Sequence, residues 1–218
     1  MVSTISQYND PSSELRWQRR KESRPSEIIK AAFDLFTEKG FSATKMDEIA
    51  RKAGISKGSL YNYFTSKEAI FEAVVTDDII PIVDQVEETI ASNKEASSET
   101  IRNLIHGMIA HTQGTRLEII PKLILSESGN FPNLTKFYVD QVIKRVRSIV
   151  EKIIQKGIEE REFVDCDPGV TARLLLAPIV QAQIWNHSLK SFDDPYDAEL
   201  YISTHLQIFL QGIKREHT

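Results

Sequence analysis

The residues best equipped for contact chemistry stand in one short run, Lys57-Gly58-Ser59-Leu60-Tyr61-Asn62-Tyr63. A lysine brings a cation, serine and asparagine bring short hydrogen-bonding groups, and two tyrosines bring hydroxyl-tipped rings. Glycine lets a backbone come close to another surface. That set suits the base edges and phosphates of a nucleic-acid duplex, where lysine reaches guanine or phosphate and asparagine pairs with adenine. Ser56 reads as the N-cap ahead of the run, with a base contact as its second possible role. Nothing comparable points to bond-making chemistry. No GxGxxG, P-loop, GxSxG or HExxH string occurs. His106 and His111 are five apart, about 140° around a helix, so they do not make the i, i+4 pair that holds zinc. Cys166 is the single cysteine, which leaves neither a disulfide nor a multi-thiolate metal site. The expectation is a non-enzyme with no cofactor and no metal.

The elements that must position this run are helices. Ile28, Ile29, Ala32, Phe33 and Phe36 recur at helical spacing after Pro25, a residue suited to a first helical turn. Gly40 is placed to end that helix in a left-handed cap. Thr44 is the expected N-cap of a second short helix with Met46, Ile49 and Ala50 inward, ending near Ala53-Gly54. A third helix is predicted over 57–64, with Leu60 and Phe64 facing the core. Thr65-Ser66-Lys67-Glu68 reads as a capping box that opens a fourth. Two short helices joined at a glycine are the helix-turn-helix pattern, and the helix beginning near Pro25 closes its core. Pro81 interrupts the next apolar stripe and should kink or split it. Beyond it, helices are predicted at 99–112, 116–127, 132–159, 168–188 and 195–215. No segment alternates as a strand would, so the fold class is all-α.

Charge divides unevenly. The chain of 218 residues carries a net charge of −4. Residues 1–70 hold an excess of three positive charges and residues 71–218 an excess of seven negative ones. A basic head on an acidic body suits a nucleic-acid reader with a separate regulatory domain. Residues 1–23, with Arg16, Arg19, Arg20 and Lys21, read as a disordered basic arm, equally a phosphate-contacting strand and a solvated tail. No signal-peptide pattern opens the chain, and the apolar run Leu174–Val180 is far short of the roughly 20 residues a spanning helix needs. A cytoplasmic protein without membrane contact is expected.

The string from Thr44 to Phe64, followed by Ser66-Lys67-Glu68, resembles the signature of the TetR/AcrR family of regulators. The likeness runs back through Ala31-Ala32-Phe33 to Gly40-Phe41 and on to Ala73-Val74. It implies an N-terminal three-helix DNA-binding domain at 24–70 and a helical ligand-sensing and dimerisation domain at 71–218. Residues 57–63 would lie in the major groove. The DNA-contacting set would be Thr44, Lys45, Ser56, Lys57, Gly58, Ser59, Tyr61, Asn62, Tyr63 and Lys67. Thr44 and Lys67 would meet phosphates at helix starts.

The resemblance also implies a homodimer through the helices at 168–188 and 195–215. On the latter, Ile202, Leu206, Phe209, Leu210 and Ile213 form one stripe, and Tyr201, His205, Ile208 and Gly212 a second. One faces the chain's own domain and one a partner, though full burial in a monomer would give the same pattern. The stretch Glu127–Leu134 with Phe137, Tyr138 and Arg145 resembles AefR-like members, which names no ligand. A pocket for a small-molecule inducer is expected, with Phe71, His106, Ile109, Ile120, Phe137, Tyr138 and Trp185 as candidates; each taken singly is as well read as core. The function implied is a repressor on a pseudo-palindromic operator, released by that inducer. The rival is a helical ligand-binding or scaffolding protein that no longer binds DNA.

Overall fold

The computed structural model describes residues 11–194 and 197–215, the first thirteen of these as backbone only. It divides into two compact units, Met1–Phe71 and Glu72–Thr218. In the first, α1 (Pro11–Lys39) is followed by α2 (Met46–Lys52), α3 (Lys57–Tyr61) and α4 (Lys67–Val74), which runs across the boundary. The expected start at Pro25 is not met: α1 continues through that residue. Proline's fixed φ is helical, and it forfeits one hydrogen bond without forbidding the turn. The arm expected to be disordered over 1–23 is therefore helical from Pro11, and its first ten residues lie outside the described ones.

Local signals explain the turns. Gly40 (φ 87°) and Gly54 (φ 67°) both adopt the left-handed conformation that ends a helix. Phe33, Phe36, Phe41 and Phe71 then form a ring cluster, with Phe36 on Phe41 at 4.8 Å and Phe33 stacked on Phe71 at 6.3 Å. Ile28, Ile49 and Leu60 are fully buried beside it. Five-residue and seven-residue helices have no stability of their own, so this core is what holds α2 and α3.

The second unit consists of α5 (Ile80–Ser92), α6 (Ser97–Thr112), a 3₁₀ turn (Arg116–Ile119), α7 (Ile120–Glu127), α8 (Pro132–Tyr138), α9 (Lys144–Glu159), α10 (Pro168–Ser188) and α11 (Ala198–Ile213). A π-helical turn, Val75–Ile79, precedes α5 where Pro81 was expected to interrupt the helix, and another, Val139–Ile143, precedes α9. Val83, Ile101, Ile105, Ile149, Ile153, Leu175, Ile179, Leu206 and Leu210 belong to one apolar core. Phe163, fully buried, fills the space beside Gly157, where a Cβ would lie 2.3 Å from its ring. The fold is all-α; the β-pairing described is a lone bridge, Phe163 to Lys214, between the α9–α10 connection and the end of α11. Among the described residues no helix is long and apolar enough to cross a membrane.

Candidate nucleic-acid interface and ligand-binding half

Two caps set the presentation of α3. Ser56 Oγ accepts the Ser59 N–H at 3.1 Å, closing the first turn. The backbone N–H of Lys45, which precedes α2, donates to the Glu48 carboxylate at 2.9 Å. Hydrogen bonds from Lys39 and then from the Lys45 N–H hold the Glu48 carboxyl below its ordinary range. Leu60 is buried, so the opposite side of α3 faces outward. Lys45, Ser56, Lys57, Gly58, Tyr61, Asn62 and Tyr63 are exposed, and Ser59 half-buried. Tyr61 and Tyr63 keep 44% and 36% of their surface open, which makes them more than core aromatics. A Cβ on Gly58 would meet no atom within 4 Å, so the chain's own packing does not demand a glycine there. The Lys57 ammonium lies 2.8 Å from Asp47, whose carboxylate raises the lysine's pKa. Sequence reasoning passed over that pairing, although Asp47 and Lys57 stand in the same motif.

Two of the expected phosphate contacts are corrected. Thr44 is not the N-cap: Lys45 holds that position. Thr44 is 2% exposed, its hydroxyl donates to the Gly40 carbonyl at 2.8 Å, and its N–H donates to Phe41. Both its donors are already used. Lys67 likewise turns inward. Its ammonium donates to the carbonyls of Phe41, Ser42 and Thr44 at 2.6, 3.0 and 3.2 Å and sits 4.7 Å above the Phe41 ring. It straps the start of α4 to the α1–α2 turn. Ser66, rather than Thr65, caps α4 by accepting the Ala69 N–H.

In the second unit the expected pocket residues scatter. Phe71 is corrected: it belongs to the aromatic core of the N-terminal unit. His106 is exposed on α6 and is no interior contact. Ile120 and Tyr138 are buried, and burial pushes the Tyr138 phenol up. Ile109, Phe137 and Trp185 are half-buried. A cleft of about 140 Å³ opens between α5, α6 and α9, and none of the seven lines it. Arg145 at the start of α9 bonds both Glu87 and Asp84 on α5; the guanidinium holds the Glu87 carboxyl low.

α10 and α11 each bury one face and expose another. Ile202, Leu206 and Leu210 are buried, and Phe209 and Ile213 pack against the same core. Val170 and Leu174 on α10, and Leu200 and Ile208 on α11, remain open, Ile208 by 65%. Of the second predicted stripe, Tyr201 and His205 reach back to α10, to Gln181 and to the Leu175 carbonyl.

Comparison with known proteins matches residues 28–74 to the description "Bacterial regulatory proteins, tetR family". The HTH-type transcriptional regulator YdeS of Bacillus subtilis is 30% identical over 168 residues, covering 75% of this chain and 80% of its own. The fatty acid metabolism regulator protein of the same organism is 24% identical over 196 residues, covering 88% and 98%. Among solved structures, the transcriptional regulator FadR from Bacillus subtilis in complex with stearoyl-CoA has a TM-score of 0.69 at 21% identity, covering 86% of this chain and 98% of that one. With the capped helix-turn-helix, these matches make the assignment: the chain belongs to the tetR family of bacterial regulatory proteins.

Proposed function

We propose that the chain is a ligand-responsive transcriptional repressor in the cytoplasm, which holds a pseudo-palindromic operator as a homodimer and releases it when a small molecule binds the C-terminal unit. The observation that carries this reading is the outward face at α3, which ends at Tyr61 rather than at the predicted residue 64: Lys57 and Tyr61 are exposed on a helix whose caps and buried Leu60 fix its orientation, and Asn62 and Tyr63 are exposed in the turn that follows it. Lysine and asparagine read base edges, and tyrosine hydroxyls and Lys45 meet phosphates. One such helix reads few base pairs, and two copies about 34–36 Å apart would read neighbouring turns of the groove. The apolar faces of α10 and α11, with Leu174 62% exposed, support a partner of the same kind. A FadR of the same fold holding stearoyl-CoA supports a small-molecule effector. Operator and effector would then weaken each other by the same factor.

The test is a gel-shift titration with the DNA flanking the protein's own gene. Lys57→Ala and Tyr63→Ala are each expected to weaken binding about tenfold or more, from the 1–3 kcal/mol of a groove contact. Unchanged affinity in both variants overturns the assignment of this face.

A further inference from the structure

Beside the exposed face of α3 stands an acid, Asp47, that is no part of the DNA-contacting set. It lies in the first turn of α2, and its two carboxylate oxygens are 2.8 and 3.2 Å from the Lys57 ammonium. Both side chains keep 62% of their surface open. An ion pair that exposed contributes little to stability. The start of α2 is served by another acid: Glu48 accepts the Lys45 N–H and pairs with Lys39. Glu38, on α1, is engaged with Lys52. Asp47 alone of these three acids has its carboxylate on a cation of the face offered to DNA, where any acid is a cost against phosphates.

That carboxylate acts unequally on the two kinds of contact a lysine makes with a duplex. Attachment to phosphates follows net charge, through the counterions released, and a Lys57–Asp47 pair brings almost none. Contact with a base edge follows hydrogen-bond donors at short range. An ammonium has three donors, and two carboxylate oxygens engage at most two of them. At least one N–H of Lys57 is left for a guanine acceptor. We propose that Asp47 is a specificity-determining residue: it withholds the Lys57 charge from the phosphates of any sequence and holds the remaining donor for a base edge of the operator. This role presupposes that α3 binds operator DNA.

The test compares two duplexes in salt titrations of the full-length protein: the DNA flanking its own gene, and a scrambled duplex of the same length and composition. Asp47→Asn is expected to tighten binding to the scrambled duplex about fivefold and to steepen its salt slope by about 0.9, the signature of one more phosphate contact. Affinity for the flanking DNA should change less, because the attraction gained is offset by a lysine no longer held, so the ratio of the two affinities falls. Asp47→Glu keeps the carboxylate and should restore the ratio. With Lys57→Gln in place, Asp47→Asn should leave the ratio where it is. Equal gains on both duplexes would mean an acid that merely repels DNA, and equal losses, with a lowered thermal midpoint, a support for α2. Either result, or a ratio lowered just as far without Lys57, overturns the proposal. Unsubstituted protein with no preference between the duplexes overturns the repressor reading as well, whereas a preference that Asp47→Asn leaves intact overturns the role of Asp47 alone.

Discussion

The two units differ in how far along the chain their side chains reach. In the N-terminal unit, the bonds that set α2, α3 and α4 are short in sequence: Ser59 to Ser56, Lys45 to Glu48, Thr44 to Gly40, with Lys67 to Phe41, 26 residues apart, the farthest of those named. In the C-terminal unit, Arg145 to Glu87 and Asp84, Lys156 to Asn93, Ser97 to Glu162 and Gln183 to Thr112 span 58 to 71 residues. A surface set by neighbours in sequence keeps its shape through changes elsewhere. A body set by distant pairs can transmit a change between its helices.

The contrast is broken most severely at Gly157. Its absent Cβ makes room for Phe163, so Gly157→Ala should cost about 3 kcal/mol, at the upper end of overpacking effects, read as the shift of the urea midpoint. A near-neutral result would mean that the connection after α9 yields easily and that the second unit is less tightly determined than its long-range bonds suggest. Next comes Lys67→Met. Losing three bonds to carbonyls should destabilise the N-terminal unit by about 2 kcal/mol while leaving the salt dependence of operator binding unchanged. A slope reduced by about 0.9 would instead make Lys67 a phosphate contact. Gly58→Ala is expected to raise stability by about 1 kcal/mol, because alanine favours a helix and the space is open, while operator affinity falls. Affinity that rises with stability would remove close approach as the reason for the glycine.

The smallest effect lies in the C-terminal unit. Hydrogen bonds from Lys136 and Lys144 bring the Asp140 carboxyl from 3.8 down to about 2. A lowered folded pKa means stabilisation that is present above about pH 4 and lost as pH falls through about 2. Asp140 is exposed to solvent screening, so the change in urea midpoint across that window should be slight. It should shrink further in Asp140→Asn, and a steeper acid response in the variant would reverse the sign.

What could be read from the chain follows the same division. Gly40, Gly54 and Ser56 act where spacing placed them, because a cap depends on residues three or four positions away. The inward stripe of α11 and the limits of α10 were equally legible from periodicity. The role of Lys67 is not legible, because a helix start offers a lysine both a phosphate and a nearby carbonyl, and only the folded turn shows which is in reach. Thr44 has the residue type of a cap, but the cap falls one residue later and the threonine hydroxyl turns inward to Gly40. Residue type makes Phe71 and His106 pocket candidates, but burial in another core and exposure on α6 are properties of packing. The cleft between α5, α6 and α9 depends on those helices meeting, and no local pattern announces that.

The paired π turns carry a consequence for the register of the helices that follow them. A π turn amounts to one additional residue within a helix, and one residue corresponds to about 100° of rotation. Excising a single position from Val139–Ile143 would leave a continuous helix, yet it would swing Arg145 off Asp84 and Glu87 and turn Ile149 and Ile153 away from the interior. Circular dichroism should then report nearly undiminished helicity in a molecule whose cooperative melting is lost. Unimpaired melting would show that α9 can be re-indexed at no cost.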